Sequence, residues 1–319
     1  MGAPMKHLFA KRGFITIATG NLRYYSMALN LLHSYRFHAK SPYPFAILCD
    51  RANAITAEFD HVIILTAPTN SYNDKLKLFD YLPYEETIFI DADSLAYGDL
   101  NTWFDLFEKQ GDFSCFGYAN RDLSTQNGWF SRSGMKEYKE QISFIPSFNG
   151  GVYYLRNTPT CHKVFSIAQN AAKNYSDYSF RLFRSPADEP VLALGMAVCG
   201  CEPLNANELV FAPKNGSMEL DIISGKARNK NHAHDYKLVH WSNYRTLKSD
   251  YQLEIRKLAC ATEKGRSVSF FHKCLYEYGF ARVYLWIYDV SAFLFRVRRV
   301  VKKKWVKKLA SKSFFSLKR

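Results

Sequence analysis

No run of about 18 consecutive apolar residues, the length a membrane-spanning helix needs, occurs in this chain. The nearest approach, residues 283–295, is interrupted by Asp289 and bounded by Arg282 and Arg296. The first residues, with Lys6, Lys11 and Arg12, lack the apolar stretch of a secretory signal peptide. Cysteine is scarce: seven residues, an odd number, at scattered positions, with Cys199 and Cys201 too close for a zinc knuckle. That argues against a disulfide framework and against a metal finger, so the expected setting is a reducing cytoplasm. The usual nucleotide fingerprints are missing as well, since neither G-x-G-x-x-G nor a Walker A sequence is found. Any nucleotide must be held in another way. Internal repeats are absent too.

One end of the chain lacks acid altogether. From Val290 to Arg319 there are eleven Lys and Arg and no Asp or Glu, so the formal net charge of +14 leaves only +3 for residues 1–289. A charge of +14 spread over a domain would point to nucleic acid. Confined to a tail behind a nearly neutral body, it does not, and no nucleic-acid partner is expected. Read as a helix, the tail places Val283, Ile287, Val290, Leu294, Val297, Val301 and Trp305 on one stripe, with Arg298, Arg299, Lys302 and Lys303 largely off it. Two readings fit residues 280–295: a stripe packed on the rest of the protein, or a helix lying in an anionic membrane surface. Beyond Arg296 the lack of any acidic partner favours the membrane. The expected organisation is a catalytic domain over residues 1–275 and an amphipathic basic tail over 276–319. The expected location is cytoplasmic, at the inner face of a membrane.

What is present describes a folded α/β protein. Apolar residues make up 47% and charged residues 23% of the 319, an ordinary globular balance. Aromatics reach 16%, which suits either ring-stacking sites or a Phe- and Tyr-rich core. Residues 14–18, 45–49, 62–65 and 87–90 read as short buried strands. Between them, Met27, Leu31 and Tyr35 share one helical face, and residues 73–82 suit a second helix. Strands separated by helices predict an α/β sheet that is mixed but mostly parallel, and parallel in its first half, with ligands beyond the carboxyl ends of the strands. Residues 120–147, polar and poorly periodic, read as a long surface excursion.

The strongest single feature is the strand Phe89-Ile90 running into Asp91-Ala92-Asp93. In an extended segment, residues two apart point to one side, so both carboxylates can share a hard divalent cation that also binds a diphosphate. Solvated turn aspartates give the same pattern, and D-x-D alone does not decide. Further blocks follow in order. Thr19-Gly20-Asn21-Leu22-Arg23-Tyr24 closes the first strand, Lys75 lies sixteen residues before Asp91, and Ser147-Phe148-Asn149-Gly150-Gly151-Val152 enters a strand. Ser185-Pro186-Ala187-Asp188-Glu189 opens a helix, and Lys237-Leu238-Val239-His240 ends a strand in histidine. Each has a bland reading. Tyr24 packs at a helix N-terminus, Lys75 is a solvated charge beside Lys77, the glycines make a bulge, and Ser185 with Asp188 forms a capping box. His232 and His234 rival His240, though they sit in a basic polar loop.

Taken in this order over roughly residues 14–250, the blocks resemble glycosyltransferase family 8, enzymes of the GT-A fold that include glycogenin and bacterial lipopolysaccharide galactosyl- and glucosyltransferases. The resemblance implies a retaining transfer of a hexose from a UDP-sugar to a glycan or lipid-linked glycan, dependent on Mn²⁺ or Mg²⁺. It implies Asp91, Asp93 and His240 as metal ligands. Donor-binding residues would be Thr19, Asn21, Tyr24 (on the uracil), Lys75, Asp91, Ala92, Asn149, Gly150, Gly151 and Lys248. Asp188 and Glu189 would be the catalytic pair beside the sugar, with Gln commoner than Glu at the second position. One departure stands out: where the family often has G-x-x-K-P-W after the histidine, this chain has Ser242-Asn243-Tyr244-Arg245-Thr246-Leu247-Lys248. The diphosphate cation is Arg245, Lys248 or neither. Two other classes were weighed. A sugar-nucleotide pyrophosphorylase needs a Gly-rich G-x-G-T-R-type loop that the N-terminal region lacks. A nucleic-acid-binding protein explains the tail and leaves the acidic and Asn-Gly-Gly blocks without a purpose.

Overall fold

The computed structural model describes residues 9–123, 129–180, 187–211, 213–214 and 216–262. The first half follows the strand and helix pattern of the sequence. Strand β1 (Ala10–Ala18) leads through Asn21, whose side chain caps the helix by accepting from Arg23 N–H, into α1 (Leu22–His38). Then come β2 (Phe45–Cys49), buried at all five positions, β3 (His61–Ile64) and β4 (Tyr84–Ile90). Strand β5 (Ser94–Ala96) follows at once, then α2 (Thr102–Glu108), β6 (Phe113–Ser114), β7 (Gly117–Asn120), β8 (Ile145–Phe148) and β9 (Val152–Arg156). Thr158 caps α3 (Pro159–Lys173), whose proline stands in the first turn, where a missing N–H costs nothing. The last part holds α4 (Asp188–Cys199), β10 (Leu209–Phe211), β11 (Met218–Asp221), β12 (Lys226–Asn229), β13 (Leu238–His240) and α5 (Ser249–Thr262).

Six strands form the main sheet in the order β3-β2-β1-β4-β9-β6. The first four are parallel, and β9 runs antiparallel between β4 and β6, so the sheet is mixed and mostly parallel, as expected. Neighbouring residues on its central strands face opposite ways and split the core. Ile15, Phe89 and Tyr153 pack with α3 and α4, while Phe14, Ile88 and Tyr154 pack with α1 and α2. Such two-sided burial is what near-continuous apolar runs in strands imply. A second sheet, β10-β13-β5, has β13 antiparallel to β5 and packs against α5 through Leu95, Val239, Trp241 and Tyr251.

Two expectations change in detail. The helix expected over residues 73–82 is a run of 3₁₀ turns, Tyr72–Tyr81. The excursion after residue 120 is held down by buried Phe130, Met135, Ile142 and Phe144, so it is a covering layer more than a free loop. The basic tail over 276–319, with its stripe from Val283 to Trp305, lies outside the described residues, as do Ser185 and Pro186. Among the described residues, no helix is long and apolar enough to cross a membrane.

Candidate functional site

Main-chain hydrogen bonds bring three distant segments together at the end of β4. Asp91 N–H donates to the Gly151 carbonyl (2.9 Å), which ties the turn after β4 to the entrance of β9. Trp241 N–H donates to the Asp93 carbonyl (2.9 Å), and His240 stands opposite Ser94 in the β13–β5 pairing. The link Asp91-Ala92-Asp93 is therefore the corner where the chain passes from one sheet to the other. Ala92 is buried at that corner and packs into the core, so its side chain is structural.

The side chains converge accordingly. His240 Nε2 lies 3.0 Å from Asp93 Oδ1 and 3.5 Å from Asp91 Oδ2. One ligand atom from each of Asp91, Asp93 and His240 lies within 4.8 Å of the others, and among the described residues this is the one such group. The rival His232 and His234 are exposed and outside it; His234 bonds to the Asn207 carbonyl. The other imidazole nitrogen fixes the chemistry. His240 Nδ1 is 2.7 Å from Asn149 Oδ1, and that oxygen also accepts the Gly151 N–H at 3.1 Å. A backbone N–H can only donate, so the Asn149 atom is an acceptor and His240 Nδ1 must carry the proton. In the neutral imidazole, the Nε2 lone pair then faces two carboxylates. That is a poor arrangement without a cation and a good one with it, the outer-shell pattern of metal-binding histidines.

The electrostatics agree. Burial pushes the Asp91 carboxyl up, and Lys75 and His240 pull the other way. Burial also raises Asp93, but the charge and hydrogen bond of His240 outweigh it and bring this carboxyl below its ordinary range. For His240, burial alone would expel a proton; the Asp93 carboxylate outweighs burial and raises the imidazole pKa. A proton and a divalent cation therefore compete for the same lone pair.

A second group of charges adjoins the first. Lys75 Nζ donates to Asp91 Oδ2 (2.8 Å) and to the Gly150 carbonyl (3.1 Å), and pairs with Asp188 Oδ2 (3.2 Å). Burial would lower this ammonium, but the Asp188 and Asp91 carboxylates more than offset it and raise its pKa. Helix α4 begins at Asp188, and Ala187 stands in the capping position with no side-chain cap. Asp188 is therefore the first helical residue, not the third that a capping box would need; Ser185 lies outside the described residues. Its carboxylate is turned instead to Lys75 and to the Tyr153 hydroxyl, 2.9 Å away. Glu189 keeps some exposure, and its carboxyl is pushed up to about 7, by burial first and by Asp188 second.

The two glycines are also required by the packing of the site itself. A Cβ on Gly150 would sit 2.6 Å from Tyr153 Oη and 2.9 Å from Asp188 Oδ2. One on Gly151 would collide with His240 Nδ1 and lie 2.8 Å from Asn149 Oδ1. The space that a methyl group would fill is taken by the site's own side chains.

The remaining expected donor residues lie around this centre with their own roles in the fold. Thr19 Oγ1 donates to Asp74 Oδ2 (3.3 Å), a buried carboxylate that also accepts from Thr69 and Asn70 N–H. Asn21 is exposed and caps α1, and Tyr24 is half-buried against the α1 core. Lys248 is buried just before α5. Arg245 donates to the Pro213 carbonyl (2.7 Å). Three residues to which the sequence reading assigned no role belong here. Arg23, half-buried and influenced by the Asp93 charge, hydrogen-bonds Thr246 Oγ1 and ties the first turn of α1 to the segment after β13. Phe211, 49% exposed, lays its ring 5.0 Å from that of His240. Tyr153 holds Asp188. The signal for Tyr153 was strand alternation, which puts it on the same face as Gly151.

No family model matches the sequence, and no curated protein matches it. Similar solved structures include the galactosyltransferase LgtC in complex with donor and acceptor sugar analogs, at 13% identity and TM-score 0.48, over 82% of this chain and 99% of that one. Others are the bifunctional glycosyltransferase WbbM (11% identity, TM-score 0.48, 76% of this chain and 47% of that one) and mouse xyloside xylosyltransferase 1 (14%, 0.44, 72% and 97%). Likeness at this level says nothing of substrate.

Proposed function

We propose that this chain is a metal-dependent glycosyltransferase that moves a hexose, with retention, from a UDP-sugar to a glycan or lipid-linked glycan. The observation that carries the reading is the Asp91, Asp93 and His240 group, with Nε2 aimed at both carboxylates, at the carboxyl end of a central strand where α/β proteins bind ligands. Asp91, Asp93 and His240 would hold Mn²⁺ or Mg²⁺, which supplies charge to bind the diphosphate and to stabilise it as it departs. In the reaction the bond from the anomeric carbon to the diphosphate oxygen breaks with its electron pair leaving on UDP. A bond to the acceptor oxygen forms, and the acceptor's proton is released.

The chain's own residues do the positioning. Asn149 fixes the His240 tautomer, and Tyr24 offers a flat ring to the uracil, with Thr19 and Asn21 beside the nucleoside. Gly150, Gly151 and Ala92 bring backbone to the donor. Arg245 or Lys248 would be the cation for the diphosphate. The acid pair Asp188 and Glu189 would stand beside the sugar, where positive charge builds in the reaction. The basic segment 276–319 would bring the enzyme to an anionic membrane carrying a lipid-linked acceptor.

The test is calorimetric titration of UDP with and without Mn²⁺, together with hydrolysis of UDP-glucose, UDP-galactose and UDP-N-acetylglucosamine. UDP affinity is expected to require Mn²⁺. Asp91→Asn or Asp93→Asn should weaken it on the order of 100-fold, at the top of what loss of an outer-shell partner costs. UDP binding that ignores the metal, or variants that bind like the native protein, would refute the reading.

A further inference from the structure

Lys75 Nζ donates to Asp91 Oδ2 and to the Gly150 carbonyl, and pairs by charge with Asp188 Oδ2 at 3.2 Å. Asp188 Oδ2 accepts a hydrogen bond from the Tyr153 hydroxyl at 2.9 Å. Both partners are withdrawn from solvent, Tyr153 at 0% and Asp188 at 1% exposure. A phenol buried that deeply must find a protein acceptor or remain unsatisfied, so the bond to Asp188 is the stable arrangement. Its ring cannot swing away. It stacks on Phe89 of the paired strand β4 at 5.8 Å and is flanked by Phe113 at 5.8 Å and Phe148 at 6.0 Å. Gly150 leaves the room in which these groups meet.

We propose that Tyr153 and Lys75 are positioning residues that lock Asp188 as the internal member of the acidic pair, leaving Glu189 as the carboxyl presented to the donor sugar. The inference rests on the glycosyltransferase reading above. It also reassigns Lys75 from donor binding to holding Asp91 and Asp188 in register, so that the metal-binding corner and the start of α4 share one buried ammonium. Charge-assisted bonds of this kind hold geometry more tightly than neutral ones.

The test uses the full-length protein, Mn²⁺ and whichever of the three UDP-sugars the native enzyme hydrolyses fastest. Tyr153→Phe removes one oxygen and keeps the ring packing. It should lower kcat about 10-fold, the loss that follows from one hydrogen bond to a charged group, and leave KM and Mn²⁺-dependent UDP affinity unchanged. In an Asp188→Asn background the same change should have almost no further effect, because the bond it removes has already been weakened. Lys75→Met should likewise lower kcat and raise the half-saturating Mn²⁺ concentration. Full kcat in Tyr153→Phe, additive losses in the double variant, or a Lys75→Met effect confined to donor KM would each overturn the inference. Absence of metal-dependent UDP binding and turnover in the native protein would instead refute the parent reading, and this inference with it.

Discussion

Glu189 is a carboxyl whose protonation state the fold alters near neutral pH. Its carboxyl is lifted from the ordinary 4.5 to about 7, by burial first and the Asp188 charge second, with Lys75 opposing. Between those values the folded protein holds a proton that the unfolded chain has released. More protons bound to the folded state means that stability falls as pH rises from about 4.5 to about 7, then levels off. Glu189→Gln removes this titration. In urea denaturation with EDTA present, the variant is expected to lose less stability than the native protein from pH 5 to pH 8 and to be the more stable above pH 7. Parallel stability curves for the two proteins would show that Glu189 titrates as an ordinary surface acid. At this scale the sequence was legible where chemistry needs a residue type at a strand end. Asp91, Asp93 and His240 could be read that way, because an apolar strand running into a polar turn is visible locally. Tyr153 and Arg23 were not, since a tyrosine in an apolar run looks like core and an arginine on a first turn looks solvated. Only tertiary neighbours reveal that one meets Asp188 and the other Thr246.

Helix α4 delivers both acids, and its placement depends on a glycine halfway along it. A Cβ on Gly195 would fall well inside contact distance of the Val164 carbonyl oxygen in α3 and 3.1 Å from Val164 Cγ1. The two helices are thus as close as backbone permits. Gly195→Ala should destabilise the protein by about 1–3 kcal/mol, the usual cost of overpacking, despite alanine's better helix propensity. It should also lower turnover, because displacing α4 moves Asp188 and Glu189. A variant of native stability would show that the helices separate easily. Elements of this kind were legible in proportion to their length. The strands over 45–49 and 87–90 are buried runs, and α1 spans enough turns for Met27, Leu31 and Tyr35 to mark a face. Over the ten residues Tyr72–Tyr81, however, periods of 3.6 and 3.0 differ by less than one turn, so a 3₁₀ segment reads as an α-helix. Of the second sheet only β13 was legible, as the apolar run ending in His240; β5 and β10 have three residues each, too few for alternation to register.

For the molecule as a whole, the charge is lopsided. Eleven of its cationic residues lie between Val290 and Arg319 with no acid among them, in a segment beyond the described residues. If that segment seeks an anionic bilayer, each cation near the surface adds ~1 kcal/mol and salt weakens the attraction. Full-length protein should sediment with vesicles containing phosphatidylglycerol at low salt and less so at high salt. Protein lacking residues 296–319 should stay in solution while still hydrolysing UDP-sugar. Equal sedimentation of both forms would end the proposal. The body of the protein is asymmetric in another way. Asp91 and Asp93 are made early in synthesis, yet the imidazole that completes their group arrives only with His240, on a strand that pairs back onto β5. Until β13 has docked, the early part of the chain carries two crowded carboxylates with one ligand missing, so an ion would favour the finished fold over every incomplete one. At a free concentration one hundred times Kd such an ion stabilises the native state by about 2.7 kcal/mol. A chain stopped short of Leu238 gains none of it. Such an ion would act as a rivet between segments of the polypeptide made at widely separated times.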